Sequence, residues 1–187
     1  MNDAEREIHI RRLQPLDDRS RFCSGNIELD RFFQRFAGQN QFRHHIGTTY
    51  VAVQGHRVTG FVTVSSGELL AEKLAKSLRK RLPSYPLPIL RVAQLAVDER
   101  FQGHGVGKLL LRAMLLIALE MRERVGCIGI VVDAKPDAVA FYSDLGFKPM
   151  ELVSGALKAR PEPIAMFLST RQIEVAISFE NVPRVGE

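Results

Sequence analysis

Cysteine is nearly absent: Cys23 and Cys127 are the only two in 187 residues, far apart and outside any CxxC spacing. A disulfide framework or a thiolate zinc site needs more than that, so both are expected to be free thiols in a reducing compartment. His9 and the pair His44-His45 lack metal-ligand spacing, and no metal is expected. Long apolar runs are missing as well. The greasiest, Leu109 to Leu119, is eleven residues and contains Arg112, against roughly 20 for a membrane-spanning helix. The first residues, Met-Asn-Asp-Ala-Glu-Arg-Glu, hold no apolar core of a signal peptide. No secretory signal is therefore expected, and the cytoplasm is the expected location. Internal repeats and a linker between two domains are both absent. A single domain over residues 1–170 with a C-terminal appendage at 171–187 is the expected organisation.

What is present is ordinary globular material, 45% apolar and 25% charged. The net charge of +5 is uneven, with +4 carried by residues 61–91, mainly Lys73, Lys76, Arg79, Lys80 and Arg81. Such a patch suits an anionic partner, nucleic acid or a phosphorylated cofactor, and equally a solvated helix face.

Periodicity gives the elements. Ile8 to Leu13 alternates as a first strand. Leu29, Phe32, Phe33 and Phe36 recur at helical spacing, predicting an amphipathic helix over 28–39 whose aromatics pack in the core. Thr48–Val53 and Val58–Ser65 form a hairpin around Gly55-His56-Arg57. Leu70, Leu74, Leu78 and Leu82 predict a second amphipathic helix over 68–82, ended by Pro83, Pro86 and Pro88. Strand 90–97 precedes a long helix over 109–123, apolar nearly all round and expected to be deeply buried. Strand 127–132, a short helix through Phe141 and Tyr142, a strand at 164–168 and a last strand at 173–179 complete the chain. A strand–helix–strand crossover over 90–132 demands a mixed sheet with helices on both faces, an α/β or α+β fold.

The chemistry concentrates between Val92 and Leu111, where an apolar strand runs into glycines at 103, 105 and 107 and then into a helix. Glycine accepts positive φ and lets a ligand approach the backbone. The first amides of the following helix have no intrahelical partner and point at an anion. A P-loop, G-x-x-x-x-G-K-[ST], is excluded: read back from Gly107-Lys108, its first glycine falls on Gln102, and Leu109 replaces the magnesium-binding hydroxyl. A dinucleotide fingerprint is excluded because Lys108 stands at the third glycine position. What fits is R-x-x-G-x-G, Arg100 to Gly105.

That loop resembles the pyrophosphate-binding loop of the GCN5-related N-acetyltransferases (GNAT), which hold acetyl-coenzyme A. A second motif, A-x-x-F-Y-x-x-x-G-F from Ala138 through Phe141, Tyr142, Gly146 and Phe147, is similar to that family's other hallmark and follows in the right order. The resemblance covers roughly residues 8–170 and implies the GNAT fold, a mixed, mostly antiparallel sheet flanked by helices on both faces. Phe22-Cys23-Ser24-Gly25 with Leu29-Asp30, Leu95-Ala96-Val97-Asp98 and Val132-Asp133-Ala134 narrow the likeness to the acetyltransferase toxins of bacterial toxin–antitoxin pairs. Gln94 stands where many of those toxins carry arginine.

The resemblance implies acetyl transfer from acetyl-coenzyme A to a primary amine, the aminoacyl group of charged tRNA. It implies a ribbon–helix–helix antitoxin partner and a homodimer. It places Tyr142 beside the coenzyme sulfur as the acid for the departing thiolate. Leu95, Ala96 and Val97 would pair their backbone with the pantetheine arm, one amide serving the oxyanion. Arg100, Gln102, Gly103, His104, Gly105, Val106, Gly107 and Lys108 would surround the pyrophosphate, and Phe141 completes the cofactor set. Asp98 and Glu99 are alternative candidates for a water-relayed base or plain loop carboxylates. Two other readings stay open: an acetyltransferase for small amines or protein N-termini, and a non-catalytic acyl-coenzyme A sensor.

Overall fold

The structure is a computed structural model, and it describes residues 7–74, 76–80, 82–150 and 163–180. Among the described residues seven strands form a sheet in the order β1 (Ile8–Arg12), β2 (Thr48–Gln54), β3 (Arg57–Leu69), β4 (Leu87–Val97), β5 (Gly129–Ala134), β7 (Ile164–Ser169) and β6 (Lys148–Pro149). The chain divides into two compact units, one of residues up to Ser65 with Val92–Leu116, the other of Ser66–Arg91 with the residues from Ile117 onward.

In the first unit, β1 (Ile8–Arg12) pairs antiparallel with β2 (Thr48–Gln54), placing Ile10 opposite Ala52. β2 then pairs antiparallel with β3 (Arg57–Leu69) around a turn in which Gly55 takes φ +57°. The helix predicted over 28–39 is there and runs on to His44. It comprises α1 (Ile27–Arg31), a π-turn at Phe32–Phe36, α2 (Ala37–Gln39) and a second π-turn at Asn40–His44. Asn26 caps its start by accepting the Leu29 amide at 3.1 Å. The aromatic cluster is core, as its spacing predicts. Phe33 stacks on Phe61 at 4.3 Å between centroids, with Phe22 edge-on to both. Phe36 departs from that reading, because the extra residue in the π-turn rotates it outward and leaves it half-exposed.

In the second unit the predicted helix over 68–82 breaks into pieces. β3 continues to Leu69, a 3-10 turn covers Ala71–Lys73, and α3 spans only Lys76–Arg79. Leu69 and Leu74 are buried with Ile89, Val131 and Phe167. Burial of Leu69 from an extended strand wins over the four-residue leucine spacing; Lys73 lies in the 3-10 turn and Lys76 and Arg79 in α3, while Arg81 lies outside the described residues. β4 (Leu87–Val97) enters through Leu87 and Ile89, and β5 (Gly129–Ala134) pairs antiparallel with β7 (Ile164–Ser169), which also pairs with β6 (Lys148–Pro149). A glycine is required at position 129, because a Cβ there would strike the Leu168 carbonyl and the Phe167 ring.

Two further expectations are corrected. The segment predicted as a strand over 173–179 is helix α6 (Thr170–Glu180). Ile173, Val175, Ile177 and Phe179 alternate, yet Thr170 and Ile173 are the buried positions and Val175 is half-exposed, a helical pattern. Arg122 reinforces it with two hydrogen bonds to Glu174, at 3.0 and 3.1 Å. The long helix, α4 (Val106–Arg124), is amphipathic and not buried all round: Val106, Leu110, Leu111, Met114 and Ala118 are buried, while Leu109, Arg112 and Leu116 face solvent. Among the described residues no helix is long and apolar enough to cross a membrane, and no group of histidine, cysteine and carboxylate side chains suits a metal ion.

Candidate functional site

The glycine loop lies in the first unit. After β4 the chain makes a 3-10 turn at Glu99–Phe101, then turns through Gln102–Gly105 into α4. Gly103 and Gly105 take φ +77° and +81°. A Cβ built on either meets nothing within 4 Å. Their requirement is thus conformational, and the space above the loop is open. Gly107 is already helical. The Leu109 amide closes the first helical turn on the Gly105 carbonyl at 3.1 Å, so the amides before it face outward at the positive end of the helix.

Below the loop lies a brace that the sequence did not reveal. Asp98 is 1% exposed and accepts Arg100 Nε at 2.8 Å, Nη2 at 2.9 Å and the Arg100 amide at 3.2 Å. Its own amide donates to the Thr59 carbonyl at 2.9 Å, tying the strand end to β3. The Gln102 side chain donates to the carbonyls of Ser24 and Val97, both at 3.0 Å. The Glu99 amide donates to the Cys23 carbonyl at 2.8 Å. Ser24 is held in turn by Asp30, which accepts its amide at 2.8 Å and its hydroxyl at 2.6 Å. The Ser24…Asp30 spacing was visible in the sequence; that it props the loop was not, because the contacts span some 75 residues of chain.

These contacts change the reading of several side chains. The Asp98 carboxylate is committed to Arg100 and the backbone, which makes it an anchor and a poor general base. The Arg100 charge is spent on Asp98 in the same measure. Glu99 is exposed, with its carboxylate beside Cys23 Sγ at 3.7 Å. His104 and Lys108 are exposed at the loop surface, and His104 Nδ1 sits 2.8 Å from the Gln102 carbonyl. Val106 is buried and seats the helix start. On β4, Ala96 is buried and Leu95 and Val97 are half-buried. Gln94, also half-buried, lies on the same strand.

Phe141 and Tyr142 lie in the second unit, on α5 (Val139–Asp144). Tyr142 is 5% exposed, edge-on to Phe141 at 5.1 Å and to Phe147 at 5.6 Å. Gly146, at φ +91°, ends the helix and lets the Phe147 amide reach the Tyr142 carbonyl at 3.1 Å. The F-Y-x-x-x-G-F pattern is therefore a packing unit that fixes the tyrosine ring. Burial disfavours the phenolate and pushes the Tyr142 pKa up to about 12. At neutral pH the hydroxyl keeps its proton, the state a general acid needs.

The glycine turn ahead of α4 in the first unit and the buried, protonated Tyr142 in the second are the structural content of the two sequence motifs. Residues 45–149 match the acetyltransferase (GNAT) domain family, and the chain belongs to that family. It is an N-acetyltransferase. The chain is 31% identical over 139 residues to the tRNA-acetylating toxin of Mycobacterium tuberculosis (strain ATCC 25618 / H37Rv), covering 74% of this chain and 82% of that protein. Among solved structures it resembles AtaT complexed with acetyl-methionyl-tRNAfMet, with TM-score 0.78 and 25% identity over 91% of this chain and 99% of that one. It also resembles AtaTR bound with AcCoA, with TM-score 0.72 and 27% identity over 91% and 98% of the two chains.

Proposed function

We propose that this enzyme transfers the acetyl group of acetyl-coenzyme A to the α-amino group of an aminoacyl-tRNA, acting as the toxin of a toxin–antitoxin pair. The observation that carries this reading is the 31% identity, over most of both chains, to a toxin that acetylates tRNA. The likenesses to AtaT bound to an acetylated tRNA and to AtaTR with AcCoA support acceptor and donor respectively.

The residues fit the donor. Acetyl-coenzyme A supplies an activated acetyl thioester and a thiolate leaving group. In this proposal the outward amides from Gly103 to Lys108 bind its diphosphate, with Arg100 and Gln102 holding the loop in shape. The backbone of Leu95, Ala96 and Val97 lines the pantetheine arm, and one of its N–H groups stabilises the oxyanion. Tyr142 donates its proton to the departing sulfur, and Phe141 packs beside it. A phenol near 12 gives up a proton to a thiolate, whose conjugate acid lies near 8.5, only when the two are held in contact. An α-amino acceptor with a pKa of about 7.7–8.0 is partly neutral at cytosolic pH and needs no strong base. This agrees with the commitment of Asp98 to structure.

As a toxin it would act in the cytoplasm as a homodimer, held inactive by a ribbon–helix–helix antitoxin. The deciding experiment supplies labelled acetyl-coenzyme A with a total aminoacyl-tRNA pool and, separately, free amino acids and peptides. Label on the aminoacyl group alone is expected. Label on free amines or peptide N-termini with tRNA untouched would replace this reading.

A further inference from the structure

A cleft of ≈ 360 Å³ opens in the first unit beside Asp98 and Arg100, and none of residues 102–108 lines it. Three separate chain segments build it: residues 18–22, the start of β3 at 56–58, and the anchor pair Asp98 and Arg100. Phe22 and Val58, both buried, provide an apolar wall. Arg21, His56 and Arg57 stand exposed around it.

Its donors outnumber its acceptors. Arg100 spends Nε and Nη2 on Asp98, which leaves the other guanidinium N–H groups. Arg57 is propped 5.4 Å from the centre of the Phe101 ring. Among the described residues no acceptor is bound to its five guanidinium N–H donors. Two carboxylates line the same cleft, and both are engaged. Asp98 is gripped by Arg100, and Asp18 accepts the Ser20 hydroxyl at 2.7 Å and the Ser20 amide at 3.0 Å. Past Asp30 the chain carries no further carboxylate until Glu68, so the hairpin bearing His56 and Arg57 offers an anion no competing acid of its own. Preset guanidinium groups over an apolar wall match a phosphate with an attached nucleoside ring.

We propose that this cleft is a phosphate subsite for a nucleotide unit, separate from the amides that take the diphosphate. The unit belongs either to the acceptor RNA, a source that rests on the acceptor proposed above, or to the phosphorylated ribose of the coenzyme. The test compares wild type with Arg21→Glu, Arg57→Glu and their double variant, with Arg124→Glu, on the exposed end of α4, as a control whose charge change equals that of each single variant. Retained thermal unfolding midpoints show that the variants fold. Each protein is titrated with purified uncharged tRNA over a salt series, with coenzyme A, and with dephospho-coenzyme A. The subsite predicts a clear loss in each single variant where Arg124→Glu shows none, and a loss of about tenfold or more in the double variant. If RNA is the source, the loss is in tRNA affinity, and the slope of log affinity against log salt flattens by about two. If the coenzyme is the source, the loss is in coenzyme A affinity while dephospho-coenzyme A binds as before. Unchanged affinity for all three ligands, or equal loss in Arg124→Glu, overturns the subsite. Absence of tRNA binding by the wild type removes the RNA acceptor instead, and the coenzyme titrations then decide the cleft alone.

Discussion

Asp98 and Arg100, two residues apart, lock together through Nε at 2.8 Å and Nη2 at 2.9 Å, with the carboxylate buried and the guanidinium half in solvent. This clasp turns the end of β4 into a fixed platform. From it the chain reaches Gly103 and Gly105 with the helix amides turned outward.

Asp98→Asn keeps the size of the side chain and removes the charge. It should lower stability by about 1–3 kcal/mol, the cost of leaving a buried hydrogen-bonding group badly matched. The account predicts a raised KM for acetyl-coenzyme A with the pH dependence of kcat unchanged. Steady-state kinetics across pH 6–9 check this, because loss of a catalytic base would alter the profile itself.

Gly103 and Gly105 need their backbone conformation and have room for a side chain; Gly129 has the reverse requirement. Alanine at 103 or 105 should cost roughly 1–2 kcal/mol, the penalty for an L-residue in the left-handed region. It should also weaken coenzyme binding about tenfold. Gly129→Ala should destabilise by about 1–3 kcal/mol through overpacking against Phe167 and the Leu168 carbonyl, with coenzyme affinity of the folded fraction unchanged. Denaturant melts and calorimetric titration separate the two kinds of glycine.

Tyr142 ties stability to alkaline pH. Its folded pKa is near 12 and that of an unfolded tyrosine about 10. Between those values the native state keeps a proton that the unfolded chain has released. The stabilisation is therefore complete below about pH 10 and is lost as pH rises toward 12. Two units correspond to about 3 kcal/mol. Tyr142→Phe should remove this dependence, so the stability gap between the two proteins should change between pH 10 and 12 and stay constant from 7 to 9. Urea melts at each pH measure it.

The parts of the chain legible in advance are those where local pattern and tertiary environment agree. The apolar run of β4, the glycine turn and the start of α4 form one local sequence, and the ring packing of Phe141, Tyr142 and Phe147 needs only the α5 turn. Non-local burial hid the rest. Leu69 sits in a strand although leucine spacing favours a helix, and Ile173 sits on a helix although its neighbours alternate. The brace from Ser24 to Gln102 and from Cys23 to Glu99 joins segments far apart in sequence, so residue types alone did not show that Gln102 and Asp98 also hold the loop in place. The stretch from 151 to 162, which follows β6, and the residues after 180, part of the expected appendage, lie outside the described residues.

The most direct test of the whole account is acetyl transfer from labelled acetyl-coenzyme A to aminoacyl-tRNA by wild type and by Tyr142→Phe, each with its coenzyme affinity measured in parallel. The account predicts label on the α-amino group of the tRNA-borne amino acid with wild type. It predicts turnover lower by about a hundredfold or more in the variant, with coenzyme affinity within about threefold of wild type. Full activity in Tyr142→Phe, or no label on any aminoacyl-tRNA, would contradict it.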